Sequence, residues 1–224
     1  MRLFAAVRPP DAVLGHLEVA LTSVRGGPAA QPRASRTGLR WNRPEDRHVT
    51  LAFFGEVPEG YVGELATALD AVAAAAQPFD ASLAGSGLFD RRTLWIGCSG
   101  TGWAGLMAAA GAVGAEIVGR PADAHSRPHL TVARARPGSG RDDGRRVSDR
   151  RRGRAAGDAH TRAAPRAPAS AADPASLAHA LALYRGPVWT VREIELVASQ
   201  LGAGPGGGPR HDVVHRSTLG AVAG

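Results

Sequence analysis

The sequence implies an α+β fold built mainly on antiparallel sheet, and three features carry that expectation. Short apolar runs rich in β-branched and aromatic residues alternate with Ala/Leu-rich segments of helical period. Two of the apolar runs, 79–88 and 93–98, are separated only by Phe89-Asp90-Arg91-Arg92, which reads as a hairpin turn. Two runs also carry the same polar pair. RHVTLAFFGEV (47–57) and PHLTVARAR (128–136) both contain His-x-Thr, about eighty residues apart and at similar places in the two halves of the chain. Mixed hairpins and helices favour antiparallel pairing. The repeated motif suggests a pseudo-duplicated, bilobal fold whose two sheets line a central cleft, with helices outside.

In chain order, residues 3–7 read as a first strand. Their short apolar patch is followed by Pro9 and Pro10 and lacks the apolar core of a secretory leader. Val13, Leu14, Leu17, Leu21 and Val24 recur at helical spacing after Asp11. Residues 26–37 read as loop and 39–41 as a short strand. The run 48–54 ends at Gly55 and reads as a strand. Residues 62–76 form an Ala/Leu helix with Leu65, Leu69 and Val72 on one side. The hairpin strands 79–88 and 93–98 follow, then a helix over 104–118 and the second His-containing strand over 130–135. A short helix over 177–184, a strand over 190–199, a turn at GAGPGGGPR and a last strand over 212–218 complete the series.

The 224 residues fit one two-lobed domain, and 44% hydrophobic residues can supply a core. Residues 138–176 break the pattern. Val147 is their only large aliphatic residue, and Arg, Ala, Asp, Gly and Pro supply most of the rest. Such a composition buries too little apolar surface to offset an ordering cost of roughly 1–2 kcal/mol per residue, so the tract reads as a disordered insertion. Between 138 and 170 nine arginines stand against four aspartates, a net +5 of the chain's +7. The basic balance therefore does not mark the folded body as a nucleic-acid surface. A single cysteine, Cys98, rules out an internal disulfide and a Cys-based zinc site, and a cytoplasmic location is the simplest account. No apolar run reaches the roughly 20 residues needed to span a bilayer.

In a strand, residues i and i+2 share a face. His48 and Thr50 therefore project together while Val49 and Leu51 turn to the core. His129 and Thr131 do the same, with Leu130 and Val132 inward. If the halves face each other, one cleft gathers two imidazoles and two hydroxyls. That set suits attack at phosphorus. Imidazole has an ordinary pKa near 6.5, so one ring can accept a proton while the other donates one. Threonine hydroxyls donate to phosphate oxygens without adding charge. Arg134 lies five residues beyond His129. A regular strand would put it on the opposite face, and only a bulge near Ala133 would bring it round. No carboxylate stands at metal-ligand spacing beside either histidine, and no metal is expected. Trp41, Phe53 and Phe54 are candidates for base stacking, with core packing the alternative for at least one of the two Phe, and Arg127 for a phosphate contact or a plain surface position. His125, His160, His179, His211 and His215 read as solvated or structural, and Cys98 as a packing residue.

These residues resemble the two-histidine phosphoesterase superfamily, in particular the RNA 2′,3′-cyclic phosphodiesterases historically called the 2′-5′ RNA ligase family. The resemblance rests on MRLFAAVRPPD, RWNRPEDRHVTLAFFGEV, LFDRRTLWIGC, RPHLTVARAR and VREIELVASQLGAGPGG, and so spans nearly the whole chain. The tract after Pro137 departs from it, as does His211, where relatives commonly carry an aromatic. The resemblance implies a bilobal fold and an enzyme that opens RNA 2′,3′-cyclic phosphate ends to 2′-phosphates. It implies His48 as proton donor, His129 as proton acceptor, and Thr50, Thr131 and Arg134 as substrate-binding residues. It implies no metal or nucleotide cofactor and RNA 3′ ends or cyclic nucleotides as substrate; no obligate protein partner and no membrane are inferred, and a monomer is expected. Competing readings are reversible 2′-5′ RNA ligation in the same site, and an RNA- or nucleotide-binding module without turnover.

Overall fold

The computed structural model describes residues 1–25, 39–120, 127–135 and 174–220. The elements follow in the order β1 (Arg2–Val7), α1 (Asp11–Arg25), β2 (Leu39–Trp41), β3 (Val49–Glu56), α2 (Val62–Ala75), β4 (Phe79–Phe89), β5 (Thr93–Ser99), α3 (Trp103–Val118), β6 (His129–Ala135), α4 (Pro174–Leu181), β7 (Arg185–Val191), β8 (Glu193–Gln200) and β9 (Arg210–Thr218). The strands form one antiparallel sheet in the order β7-β4-β5-β6-β3-β1-β8-β9, with β2 also paired to β6. The two sheets expected of the two halves are thus joined edge to edge. The join is narrow, a single pair, Val49 opposite Leu130.

The four helices α1 to α4 pack on one face. Leu17 and Leu21 of α1, Leu65 and Leu69 of α2, Trp103 and Leu106 of α3 and Leu177 and Leu181 of α4 share one core with Leu3, Val49, Leu94, Leu130 and Ile194 of the sheet. The expected alternation accounts for this: one side of each strand is apolar because it meets helices. The other face carries a small separate cluster, Phe4, Ala6 and Val197, with Phe53 against it.

Two expectations change. The strand read over 190–199 is two strands, β7 and β8, broken at Arg192. Gly186 and Pro187 hide β7 from a pattern reading. It tolerates Pro187 because it is the last strand of the sheet, where a missing N–H leaves no ladder bond unmade. The helix read over 177–184 begins at Pro174. Residues 174–176 therefore form its first turn rather than the end of an insertion, and proline suits that position. The remainder of the Arg-rich tract and the loop 26–37 lie outside the described residues, as do His125 and His160. Among the described residues no helix is long and apolar enough to cross a membrane.

Candidate active site

The single β3–β6 contact sets the geometry of the site. Val49 lies opposite Leu130, and both side chains are fully buried against the helices. In antiparallel register their neighbours then fall opposite one another, His48 by Thr131 and Thr50 by His129. All four project from the helix-free face. The two motifs meet at the centre of the sheet with their polar ends crossed.

Each histidine is held in the same way. His48 Nδ1 lies 2.9 Å from the Asp46 carbonyl oxygen, and His129 Nδ1 lies 2.7 Å from the Arg127 carbonyl oxygen. A carbonyl only accepts, so each Nδ1 carries the proton and donates. That leaves both Nε2 atoms as the working nitrogens. Arg127 thus serves through its backbone, a role the sequence did not suggest.

Arg134 does reach this face. Leu94 pairs with Ala133, but the next β5 residue, Trp95, pairs with Thr131. Val132 is therefore an extra residue in β6, a β-bulge. Val132 and Ala133 both turn to the core at 0% exposure, and Arg134 returns to the side of Thr131. Asn42 braces the bulge. Its backbone N–H donates to the Val132 carbonyl at 2.8 Å and its side-chain amide to the Thr131 carbonyl at 3.1 Å. Asn42 is held in turn by Arg47, which donates to its carbonyl at 3.2 Å. Arg40 lies across from Arg134 on β2. Burial and the Arg40 charge together hold the Arg134 pKa below the ordinary arginine value. Two neighbouring guanidinium groups on one face suit an anionic ligand.

The surroundings of the two histidines differ. His48 lies deep in the site, stacked on Phe4 with ring centroids 4.7 Å apart. Burial first, then the neighbouring His211, lowers its pKa from 6.5 to about 4. His129 stands between Phe89, edge-on at 4.8 Å, and Trp95 at 6.3 Å. His211, read from sequence as solvated or structural, packs edge-on to His48 at 5.2 Å. It comes to the site through β9, where it pairs with Ser199 of β8; the one sequence signal was that relatives commonly carry an aromatic at its position.

The aromatic candidates for base stacking are otherwise engaged. Phe54 is buried at 2% exposure. Trp41 faces the core and is covered by the Arg25 guanidinium at 4.0 Å. Phe53 lies on the open side, with the guanidinium of Arg2 at 4.6 Å and that of Arg120 at 5.0 Å. Cys98 packs as expected, and burial pushes its thiol pKa up. Among the described residues no group of His, Cys, Asp and Glu side chains is placed to hold a metal.

A helix-backed sheet that sets two imidazoles, two hydroxyls and a guanidinium on one open face has the form of a phosphoesterase. A family model described as LigT like Phosphoesterase matches residues 29–95. An RNA 2′,3′-cyclic phosphodiesterase of Archaeoglobus fulgidus is 30% identical over 140 residues, covering 61% of this chain and 73% of that protein. One of Geobacillus stearothermophilus is 51% identical over 53 residues, 24% of this chain and only 17% of the length of that relative. The solved structure of TT0787 of Thermus thermophilus shares the fold with a TM-score of 0.65, 24% identity and 98% of each chain covered. E. coli LigT complexed with phosphate shares it at 0.59, with 18% identity over 97% of this chain and 96% of that one. The chain belongs to the LigT-like phosphoesterase family.

Proposed function

We propose that this site hydrolyses RNA 2′,3′-cyclic phosphate ends to 2′-phosphates. The observation that carries the reading is the matched pair of Nδ1-to-carbonyl hydrogen bonds, which commits both Nε2 atoms of one open face to proton transfer. In the step we assign, water attacks phosphorus and gives its proton to His129 Nε2. The bond from phosphorus to the 3′ oxygen breaks, and that oxygen takes a proton from His48 Nε2. The product is a 2′-phosphate beside a free 3′ hydroxyl, and the two rings have exchanged protonation states. Thr50 and Thr131 donate to the non-bridging oxygens, and Arg134 balances their charge. The curated relatives bear the name of this activity.

The donor role asks something of His48. The protein alone holds the ring neutral, with its pKa at about 4. A bound phosphate supplies the negative charge that favours the protonated form, so substrate binding itself arms the acid. Cys98 is free, which accords with action in a reducing compartment, the cytoplasm.

The test is end analysis of a short RNA bearing a 2′,3′-cyclic phosphate, with metal chelated, using wild type, His48→Ala and His129→Ala. Conversion to the 2′-phosphate by wild type, reduced about 10²–10⁴-fold in each variant, is the expected result. A folded wild type that binds the RNA without converting it would overturn hydrolysis in favour of a binding module.

A further inference from the structure

We propose that His211 is a third imidazole of this site, a positioning residue whose charge sets how far up the pH scale His48 keeps a proton. The inference deepens the reading above and rests on it for the role of His48.

Three contacts place His211 there. Its ring meets His48 edge-on at 5.2 Å. Phe4 packs both rings, stacked on His48 at 4.7 Å and edge-on to His211 at 5.4 Å. His211 Nδ1 lies 3.8 Å from Asp46 Oδ1. Asp46 therefore serves both histidines, through its carbonyl for His48 and through its carboxylate for His211. The His211 side chain is only 17% exposed, so its charge is poorly screened by water.

The charges facing this pair come from several elements. Burial lowers the His211 pKa, while Asp46, on the short turn Pro44–Asp46, and Asp212, on β9, act the other way and favour its protonated form. Asp212 is itself paired with Arg210 at 2.9 Å. His129 and Arg134, on β6, oppose a positive His48, as His211 does. Across the sheet on β8, Ser199 stands opposite His211, and Glu195 is occupied by Arg216 at 3.1 Å. When His211 takes a proton against Asp46, a cation stands directly beside the ring that must itself become a cation. Two like charges so close oppose each other, and the second proton is the harder to add.

His211→Phe tests this, because it retains a ring against Phe4 and His48 while removing the charge. NMR of ¹³C-labelled histidine, with the His48 resonance assigned from His48→Gln, reads the titration directly. We expect His48 to titrate higher in His211→Phe by on the order of one pH unit. His211→Tyr, neutral and also ring-shaped, should give the same displacement and covers the case in which Phe does not fold. In turnover assays the limb of kcat/KM that depends on a protonated His48 should extend to higher pH by a similar amount. A His48 titration that stays in place, or moves down, in the folded variants would overturn the proposal. The NMR readout needs no turnover, so failure of the hydrolytic reading and failure of this one remain distinguishable.

Discussion

The His48 and His129 sides of the site repeat one design in two settings. His48 immediately precedes β3 and His129 opens β6, both donate Nδ1–H to the carbonyl two residues earlier, and both are flanked by aromatic rings. The difference lies behind them. His48 follows Arg47, a buried cation tied into helix α1. His129 follows Pro128, whose ring restricts the backbone and whose carbonyl accepts from the Cys98 N–H at 3.0 Å. His48 is packed against Phe4 and His211. His129 stands at the lip, beside Phe89, which is 39% exposed. The repeated motif leaves Nε2 as the free nitrogen of each ring, while the unrepeated surroundings set the rings apart: burial and His211 lower the His48 pKa to about 4. In the proposed reaction these identical residues take opposite roles.

The largest effect tests that division of labour. A cyclic phosphate with sulfur in place of the 3′ bridging oxygen has a leaving group that departs without a proton. Loss of the general acid then costs little, whereas loss of the general base still costs about 10²–10⁴-fold. We expect His48→Ala to recover most of its rate on this substrate and His129→Ala to recover none. Recovery by His129→Ala instead would reverse the assignment.

A second test removes the anchor peculiar to the His48 side. Arg47, 1% exposed, donates to Glu18 Oε2 at 2.5 Å, while Arg25 donates to Glu18 Oε1 at 2.6 Å. Nε and Nη1 of Arg47 are already without partners, so among the described residues Glu18 supplies its only carboxylate. Glu18→Ala leaves a buried cation unpaired and should cost about 3 kcal/mol in urea unfolding. Because Arg47 also holds Asn42, which braces the bulge under Arg134, substrate KM should rise as well. A loss below about 1 kcal/mol would show that the anchor is dispensable.

Legibility divides along the same line. Strand period and helical spacing gave nearly every element, because each has one face against the same core. The pairing of the motifs was readable because His-x-Thr is local and repeated. What sequence could not give depended on distant partners. The bulge at Val132 has no residue signature, since valine is an ordinary strand residue; it is visible only against the β5 register and the Asn42 brace. β7 was obscured by a proline that its edge position tolerates. His211 entered the site through pairing of β9 with β8, and no local pattern marks that.

The smallest effect belongs to the His129 side. Trp95 lies across Gly87, its partner on β4, and a Cβ added to Gly87 would meet the indole at 2.3 Å. A Cβ on Gly97 would meet the same indole only at an ordinary 3.6 Å, so it is Gly87 that leaves it room to lie against the sheet. Gly87→Ala forces Trp95 away from the sheet and toward His129. The fold keeps its hydrogen bonds, because alanine suits a strand at this backbone geometry. Displacement of a group beside the reacting atoms by about 1 Å can cost up to ~10²-fold, and here the moved residue only flanks the histidine. We expect kcat/KM to fall about tenfold while the His48 titration stays in place. A shift of His48 as well would mean that the halves are coupled through the Val49–Leu130 join, and that the two settings are not independent.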